Sequence, residues 1–312
     1  MSSITKIHLK SNNIIIPDVI SQIRKYAESH SEFSLIITGP TGSGKTNLAH
    51  QIFDLIPSML INADSRQIYT EINIGSNKPH LTSHLVVDCN NTAVAEEKYI
   101  YWNMDILKLS EIYSAQDYRT DVRKMIFSLY DKKILPIIVG GSMHWISSLM
   151  SESISPFYIS DYEKYLQLCE KSLEELQKIY REIYPSNKIN DSDRQNSRRL
   201  SRAIEYFQIT NRSVYDDTIH EKNIINFLII ELQIDRVEHK EKIRNSVTER
   251  INKGWIEEVK NALEKYPDSN IVNKLGQGFR IIAESDFNNI NKEYLIEKIT
   301  NAEMIYAKKQ IL

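Results

Sequence analysis

The sequence predicts an α/β protein built on a parallel sheet flanked by helices, and three observations carry that expectation. Short apolar runs recur at Leu35 to Thr38, Met59-Leu60-Ile61, Leu85-Val86-Val87, Ile134 to Val139 and Ile224 to Leu232, each suited to a strand buried on both faces. Helical patterns such as Ala115 to Lys132 lie between several of them, and strand-helix alternation of this kind gives a parallel sheet. The third observation is Gly39-Pro40-Thr41-Gly42-Ser43-Gly44-Lys45-Thr46, which joins the first apolar run to the helical stretch Asn47 to Phe53. Its spacing is that of a loop whose backbone N–H groups converge on phosphate oxygens at a helix N-terminus. The expected fold is therefore a P-loop NTPase-like sheet.

Taken in order, residues 1 to 33 are polar and weakly patterned apart from a helix expected from Asp18 to Ser29, and read as an extension before the domain. Strand signals then recur to about residue 146. Beyond Ser147 they disappear until about Asn196, and Asp161 to Ile183 shows helical periodicity with dense charge. Residues 147–196 thus read as an inserted helical subdomain, and 34–146 with 197–312 as the core. Further helices are expected at Ser197 to Ile209, Arg236 to Lys253, Trp255 to Tyr266 and Lys292 to Gln310.

Composition narrows the function classes. A chain of 312 residues with 41% hydrophobic content can bury a substantial core, and a net charge of -2 argues against a uniformly basic nucleic-acid binder. Cys89 and Cys169 lie far apart without a CxxC pair or a neighbouring His at ligand spacing, so neither a zinc site nor a disulfide framework is expected. Ile14-Ile15-Ile16 is too short for a signal-peptide core, and no run approaches the roughly 18 apolar residues of a membrane span. A cytoplasmic protein without membrane attachment is expected.

The candidate chemistry clusters at the carboxyl edge of the expected sheet, where open α/β sheets bind ligands. In the phosphate loop, Lys45 adds a point charge and the Thr46 hydroxyl is suited to ligating Mg²⁺. Strand two ends in Ile61-Asn62-Ala63-Asp64, which puts a carboxylate beside that loop as a metal ligand or a general base. Asp88 is a weaker rival on the same logic. Gly140-Gly141-Ser142-Met143-His144-Trp145 offers close backbone approach and a hydroxyl that could equally be an N-cap. Arg194, Arg198 and Arg202 would align on one face of a continuous helix, with Arg199 nearby, and would suit nucleic-acid phosphates unless Asp191, Asp193 and Glu205 neutralise them. Arg236 begins a helix after the last apolar run, where a guanidinium could stabilise a departing diphosphate or merely face solvent.

These pieces, in this order, resemble the bacterial tRNA dimethylallyltransferase family. The resemblance rests on the loop Gly39 to Thr46, on Ala63-Asp64-Ser65-Arg66-Gln67-Ile68-Tyr69 with Ile74-Gly75-Ser76-Asn77-Lys78-Pro79, and on Tyr113-Ser114-Ala115-Gln116-Asp117-Tyr118-Arg119. It continues through Pro136 to Ser142, Arg198-Arg199-Leu200-Ser201-Arg202-Ala203-Ile204-Glu205 and Ala307-Lys308-Lys309-Gln310. It implies transfer of a dimethylallyl group from its diphosphate to N6 of adenine 37 in tRNAs reading codons that start with U. By the same resemblance Gly39, Pro40, Thr41, Gly42, Ser43, Gly44, Lys45 and Thr46 hold the diphosphate with Mg²⁺ on Thr46. Asp64 is the general base, and Thr46 and Arg236 contact the leaving group. The tRNA is contacted by Asp64, Ser65, Arg66, Gln67 and Ser142, by Arg198, Arg199, Leu200, Ser201 and Arg202, and by Arg280, Lys308, Lys309 and Gln310, while the helical insertion grips the anticodon stem. The implied partners are tRNA and dimethylallyl diphosphate, with the chain acting as a monomer.

Departures from the family pattern are local. Ser142 stands for a Thr and Trp145 for a Tyr, Gly278-Phe279-Arg280 replaces Gly-Tyr-Arg, residues around Cys89 to Ile100 look inserted, and Met304 stands where an Arg is expected. The sequence stops at Leu312 where family members continue through a Thr-Trp pair, from which either weaker tRNA binding or a truncated gene is expected. Two other readings keep the same loop: a small-molecule kinase with Asp64 as base on a hydroxyl, and a tRNA-binding remnant with impaired turnover.

Overall fold

The structure is a computed structural model, and it describes residues 3–79, 99–154, 161–184, 189, 191–214, 219–220, 223–267, 271–287 and 289–310. The expected strand at Leu85-Val86-Val87, together with Asp88 and Cys89, lies outside the described residues. Two compact units are present, the first formed by Met1–Tyr113, Asp121–Ile146 and Ile224–Leu312, the second by Ser114–Thr120 and Ser147–Asn223.

The first unit is built on a parallel sheet. Its strands are β1 (Ile4–Lys10), β2 (Ser34–Thr38), β3 (Ser58–Asn62), β4 (Tyr101–Trp102), β5 (Leu135–Val139) and, late in the chain, β8 (Phe227–Gln233). They lie in the order β1-β8-β2-β5-β3-β4. β2 is central, pairing with β5 from Leu35↔Ile137 and with β8 from Ser34↔Phe227, and it is buried throughout. The apolar residues of β2 and its neighbours therefore have no solvent face, which is why the run reads as continuous rather than alternating.

Helix α1 (Ile16–Ser29) lays Val19, Ile20, Ile23 and Tyr26 on this core, and α2 (Lys45–Phe53) adds Leu48, Ala49 and Ile52. α3 (Ala115–Asp131) and α4 (Met143–Met150) flank β5 in sequence. After β8 follow α9 (Arg236–Asn252), α10 (Trp255–Lys265), α11 (Ile271–Leu275), α12 (Gln277–Ala283) and α13 (Lys292–Ala307). A buried ion pair ties α9 to α13: Arg250 Nη2 donates to both Glu303 carboxylate oxygens at 2.9 Å, with Trp255 packed 4.4 Å from the guanidinium.

Residues 1–33 are thus no extension before the domain. β1 pairs with β8 in register from Ile4↔Phe227 to Lys10↔Gln233. Its polar appearance has a physical cause. An edge strand alternates, so Ile7 and Leu9 pack on the core while Lys6 and His8 reach the carboxylate of Glu231 at 3.0 Å.

The second unit contains α5 (Tyr162–Cys169), α6 (Leu173–Ile183), α7 (Asp191–Arg194) and α8 (Ser197–Thr210), with the antiparallel pair β6 (Ser153–Ile154) and β7 (Ile219–His220). The expected helical stretch 161–183 divides because Ser172 opens a new helix with a capping box to Glu175. The boundary expected at residue 197 shifts to Asn223, because Leu200, Ala203, Ile204 and Tyr206 of α8 share an apolar cluster with Leu168, Leu176 and Tyr180. Among the described residues no helix is long and apolar enough to cross a membrane.

Candidate active site

The phosphate loop leaves β2 through Gly39 and enters α2 through Gly44, and its backbone needs glycine at both ends. Gly39 has φ +142° and a Cβ there would stand 2.6 Å from the Leu232 carbonyl, while Gly44, the N-cap, is left-handed at φ +90°. Within the loop the Lys45 ammonium donates to the carbonyls of Gly39 and Pro40 at 2.9 and 2.8 Å. Burial pushes its pKa down to about 8, against the opposing attraction of the Asp64 carboxylate. The Ser43 hydroxyl is buried without a hydrogen-bond partner among the described residues, a donor available to an anion oxygen. Thr46 is exposed on the first turn of α2.

Asp64 follows β3 and is held from several sides. Its N–H donates to Asn62 Oδ1 at 2.9 Å, and its own Oδ1 accepts the N–H of Arg66 at 2.9 Å. Asn62, buried, also donates to the Asn103 carbonyl at 2.9 Å, which fixes the strand end from the far side. Gly140 lies against Ala63 so closely that a Cβ would sit 2.2 Å from the Ala63 carbonyl carbon. Ser142 closes the same corner: its N–H donates to the Ala63 carbonyl at 3.0 Å, and its hydroxyl accepts the Ser65 N–H at 2.8 Å. The Ser142 hydroxyl thus shapes the backbone that carries Asp64.

The C-terminal turn and α9 complete the arrangement. Gln310, only 3% exposed, accepts the Thr41 N–H at 2.9 Å and donates from Nε2 to the Gly141 carbonyl at 3.1 Å. His239 Nε2 lies 2.7 Å from the Thr41 carbonyl; since a carbonyl only accepts, that nitrogen carries the proton. Tyr306 has its hydroxyl within hydrogen-bonding reach of Gln310 and Arg66, and burial holds its phenol above the usual range, with Arg66 pulling the other way. The Arg66 guanidinium lies 4.9 Å over the Tyr306 ring and packs against Gly276.

The other expected site residues fall into place as follows. Arg236 is exposed at the start of α9, one turn before His239. Gln67 donates to the Ser76 carbonyl at 3.2 Å, and Glu258 of α10 accepts the N–H groups of Asn73, Ile74 and Gly75 at 2.7 to 2.8 Å, so the 73–78 loop is tied to the helices behind it. Arg280 pairs with Glu284 at 2.8 Å on an exposed face of α12, and Lys308 and Lys309 are exposed. Gln310, expected among the tRNA contacts, instead has its side chain buried between two loops.

In the second unit Arg198, Arg199 and Arg202 lie on α8, but the expected face through Arg194 is broken. Asn196 caps α8 by accepting the Arg199 N–H, which leaves Arg194 on the separate α7. Arg199 pairs with Asp193, and Arg202 pairs with Glu205 at 2.7 Å while stacking 3.8 Å over Tyr165. Leu200 and Ser201, expected to meet tRNA, are buried at 0% and 1% exposure because they fall on the inward face of α8. Among the described residues there is no group of three or more His, Cys, Asp or Glu able to enclose a metal ion.

His239, Tyr306 and the inward role of Gln310 were not anticipated. Their contacts span 198 and 269 residues for His239 and Gln310, so no local spacing signals them. A His one turn after Arg236 was the only hint.

Comparison with known proteins shows the family and the fold. The tRNA dimethylallyltransferase 1 of Azobacteroides pseudotrichonymphae is 29% identical over 286 residues, covering 90% of this chain and 88% of the relative. The tRNA dimethylallyltransferase of Acinetobacter baumannii (strain SDF) is 28% identical over 289 residues, covering 88% and 87%. The fold is shared with the full-length tRNA isopentenylpyrophosphate transferase of Bacillus halodurans, at TM-score 0.59 and 22% identity over 89% of this chain and 85% of that one. It is also shared with a eukaryotic dimethylallyltransferase acting on tRNA, at TM-score 0.65 and 20% identity over 89% and 69%. The family model described as IPP transferase matches residues 67–312, and the chain belongs to that family.

Proposed function

We propose that this protein transfers a dimethylallyl group from dimethylallyl diphosphate to N6 of adenine 37 in tRNAs reading codons that start with U, releasing diphosphate. The observation that carries this reading is a phosphate loop linked through Gln310, Gly141 and Ser142 to the strand end that bears Asp64, in a chain of the IPP transferase family. In the reaction the adenine amine forms a C–N bond to the allylic carbon while the C–O bond to diphosphate breaks, its electron pair leaving with the diphosphate. Asp64 takes the amine proton. Lys45 and the loop N–H groups hold the leaving group, and Arg236 adds charge as it departs. Allylic carbon ionises readily once that charge is balanced, so positioning and electrostatics supply most of the rate.

Mg²⁺ fits the donors present. Thr46 is exposed on the first turn of α2, the Ser43 hydroxyl of the same loop has no hydrogen-bond partner among the described residues, and Mg²⁺ ordinarily takes few protein ligands together with substrate phosphate oxygens. Thr46 would hold it, and it would neutralise diphosphate charge. The exposed Arg198 and Arg199 contact tRNA phosphates, with Lys308, Lys309 and Arg280 as further cations, while Arg202 serves Glu205.

The test uses purified protein, unmodified anticodon stem-loop RNA and labelled dimethylallyl diphosphate, with ATP and small hydroxyl acceptors in a parallel reaction. Label on the RNA at the adenine supports the proposal. Phosphate transfer from ATP to a small acceptor would replace it with the kinase reading, and RNA binding without label with the remnant reading.

A further inference from the structure

We propose that Gln310 is a positioning residue that holds the phosphate loop in register with the Gly140–Ser142 loop that supports the general base, and that Gly141 is glycine to admit it. The proposal rests on the prenyl-transfer reading for its kinetic consequence only. The two loops follow different strands: Gly39 to Thr46 follows β2, and Gly140-Gly141-Ser142 follows β5. A backbone bond from the Gly140 N–H to the Ile37 carbonyl at 3.3 Å joins the strand ends, and the Gln310 side chain joins the loops beyond them.

Gln310 has the chemistry for that task. A primary amide carries an acceptor and a donor on one rigid plane, and here the Oε1 takes the Thr41 N–H while Nε2 gives to the Gly141 carbonyl. Gln310 is 3% exposed; its bond to Gly141 is buried and its bond to Thr41 part-buried, so the amide is largely kept from exchanging them for solvent. The Gly141 end leads directly to Ser142, whose hydroxyl and N–H hold Ser65 and Ala63 on either side of Asp64. The Thr41 end lies inside the phosphate loop and is gripped from the other side by His239. One side chain therefore connects the element that binds the leaving group to the element that supports the base.

Two further observations point the same way. A Cβ built at Gly141 would stand 2.4 Å from Gln310 Nε2, so the backbone has been left bare where the amide needs to lie. Gly141 is not among the glycines with positive φ, which leaves room for that amide as the reason for its identity. Tyr306, one turn earlier, puts its hydroxyl within hydrogen-bonding reach of Gln310 and braces it against Arg66.

Four variants of the full chain separate this role from tRNA contact and from simple stability. Gln310→Ala removes both bonds, Gln310→Glu keeps the acceptor for Thr41 but presents a carboxylate to the Gly141 carbonyl, Gly141→Ala pushes the amide aside, and the fourth combines Gln310→Ala with Gly141→Ala. The measurements are kcat and KM for dimethylallyl diphosphate, Kd for stem-loop RNA, Kd for inorganic pyrophosphate by calorimetry, and melting temperature. For each single variant kcat falls by about tenfold to a hundredfold, the scale of a small misplacement of reacting groups, and RNA Kd stays within about twofold. The double variant loses no more than either single one, because both remove the same linkage.

Pyrophosphate affinity falls for Gln310→Ala even if the wild type proves to transfer no prenyl group, so the linkage is tested apart from the reaction. Unchanged kcat and pyrophosphate affinity with weakened RNA binding would overturn the proposal in favour of a tRNA contact. Additive losses in the double variant, or lower melting with unchanged kinetics below it, would overturn it too.

Discussion

Asp64 Oδ1 accepts the backbone N–H of Arg66 at 2.9 Å, so half of the carboxylate is committed to shaping its own loop and the other oxygen is left for proton transfer. Asparagine at this position keeps an Oδ1 that can accept the same N–H but cannot take a proton at neutral pH. Asp64→Asn should therefore leave the loop, RNA affinity and diphosphate affinity close to wild type. Turnover should fall by roughly a hundredfold or more, the usual scale for a lost general base. Single-turnover rates with saturating RNA and dimethylallyl diphosphate check this, and an unchanged rate would remove Asp64 from the chemistry.

Lys45 gives the site a pH dependence of known sign. Burial lowers its pKa to about 8 while Asp64 partly restores it, so the ammonium is charged at neutral pH and is lost as pH rises through that value. Diphosphate binding favours the charged form, and affinity should fall by up to about tenfold per pH unit above that point. For the fold alone the sign is reversed: a depressed lysine binds fewer protons in the native state, so its penalty is present at neutral pH and relieved as pH climbs from about 8 toward 10.5. Pyrophosphate titration of the wild type and of Lys45→Arg across this range isolates the effect, because guanidinium stays charged and its profile should be flatter.

Glu303 and Arg250 form the buried pair behind the site, bidentate at 2.9 Å, with a second Arg250 nitrogen donating to the Gly75 carbonyl at 3.1 Å. Removing one partner strands a buried charge, so Glu303→Ala should cost about 3–5 kcal/mol of stability. Urea denaturation followed by tryptophan fluorescence measures it, since Trp255 lies over the same guanidinium. A loss below about 1 kcal/mol would mean the pair behaves as a solvent-screened one.

What the sequence disclosed follows from how local each signal is. The phosphate loop, Asp64 after β3 and the glycines before Ser142 could be read because each is a contiguous motif at a strand end. β1 could not, because an edge strand with one apolar face alternates Ile7 and Leu9 with Lys6 and His8, and its partner β8 lies more than two hundred residues away. The start of α8 at Ser197 was legible, whereas the alignment of Arg194 with Arg198 and Arg202 needed one continuous helix, and Asn196 ends that continuity by accepting the Arg199 N–H. Gln310 carried a motif signal, but the resemblance grouped it with Lys308 and Lys309 as a tRNA contact. The chain turns out of α13 at Lys308, and the amide points inward while the lysines do not.

The arginines of α8 should separate into two kinds. Arg202 serves Glu205, which is only 1% exposed and also accepts the Asp161 N–H at 2.8 Å. Arg202→Ala takes away a countercharge of a buried carboxylate and the stack on Tyr165, so it should destabilise the protein by about 3 kcal/mol. Arg198 is exposed, with Tyr165 as its hydrogen-bonding neighbour and no carboxylate paired to it among the described residues. Arg198→Ala should change stability by no more than about 0.5 kcal/mol. If Arg198 neutralises a tRNA phosphate, that variant should weaken stem-loop binding and lower the slope of log Kd against log salt by about one. Salt titrations of RNA binding for both variants, each corrected for its folded fraction, decide the matter. An unaltered slope for Arg198→Ala would assign this arginine to solvent and move the RNA contact elsewhere on the helix.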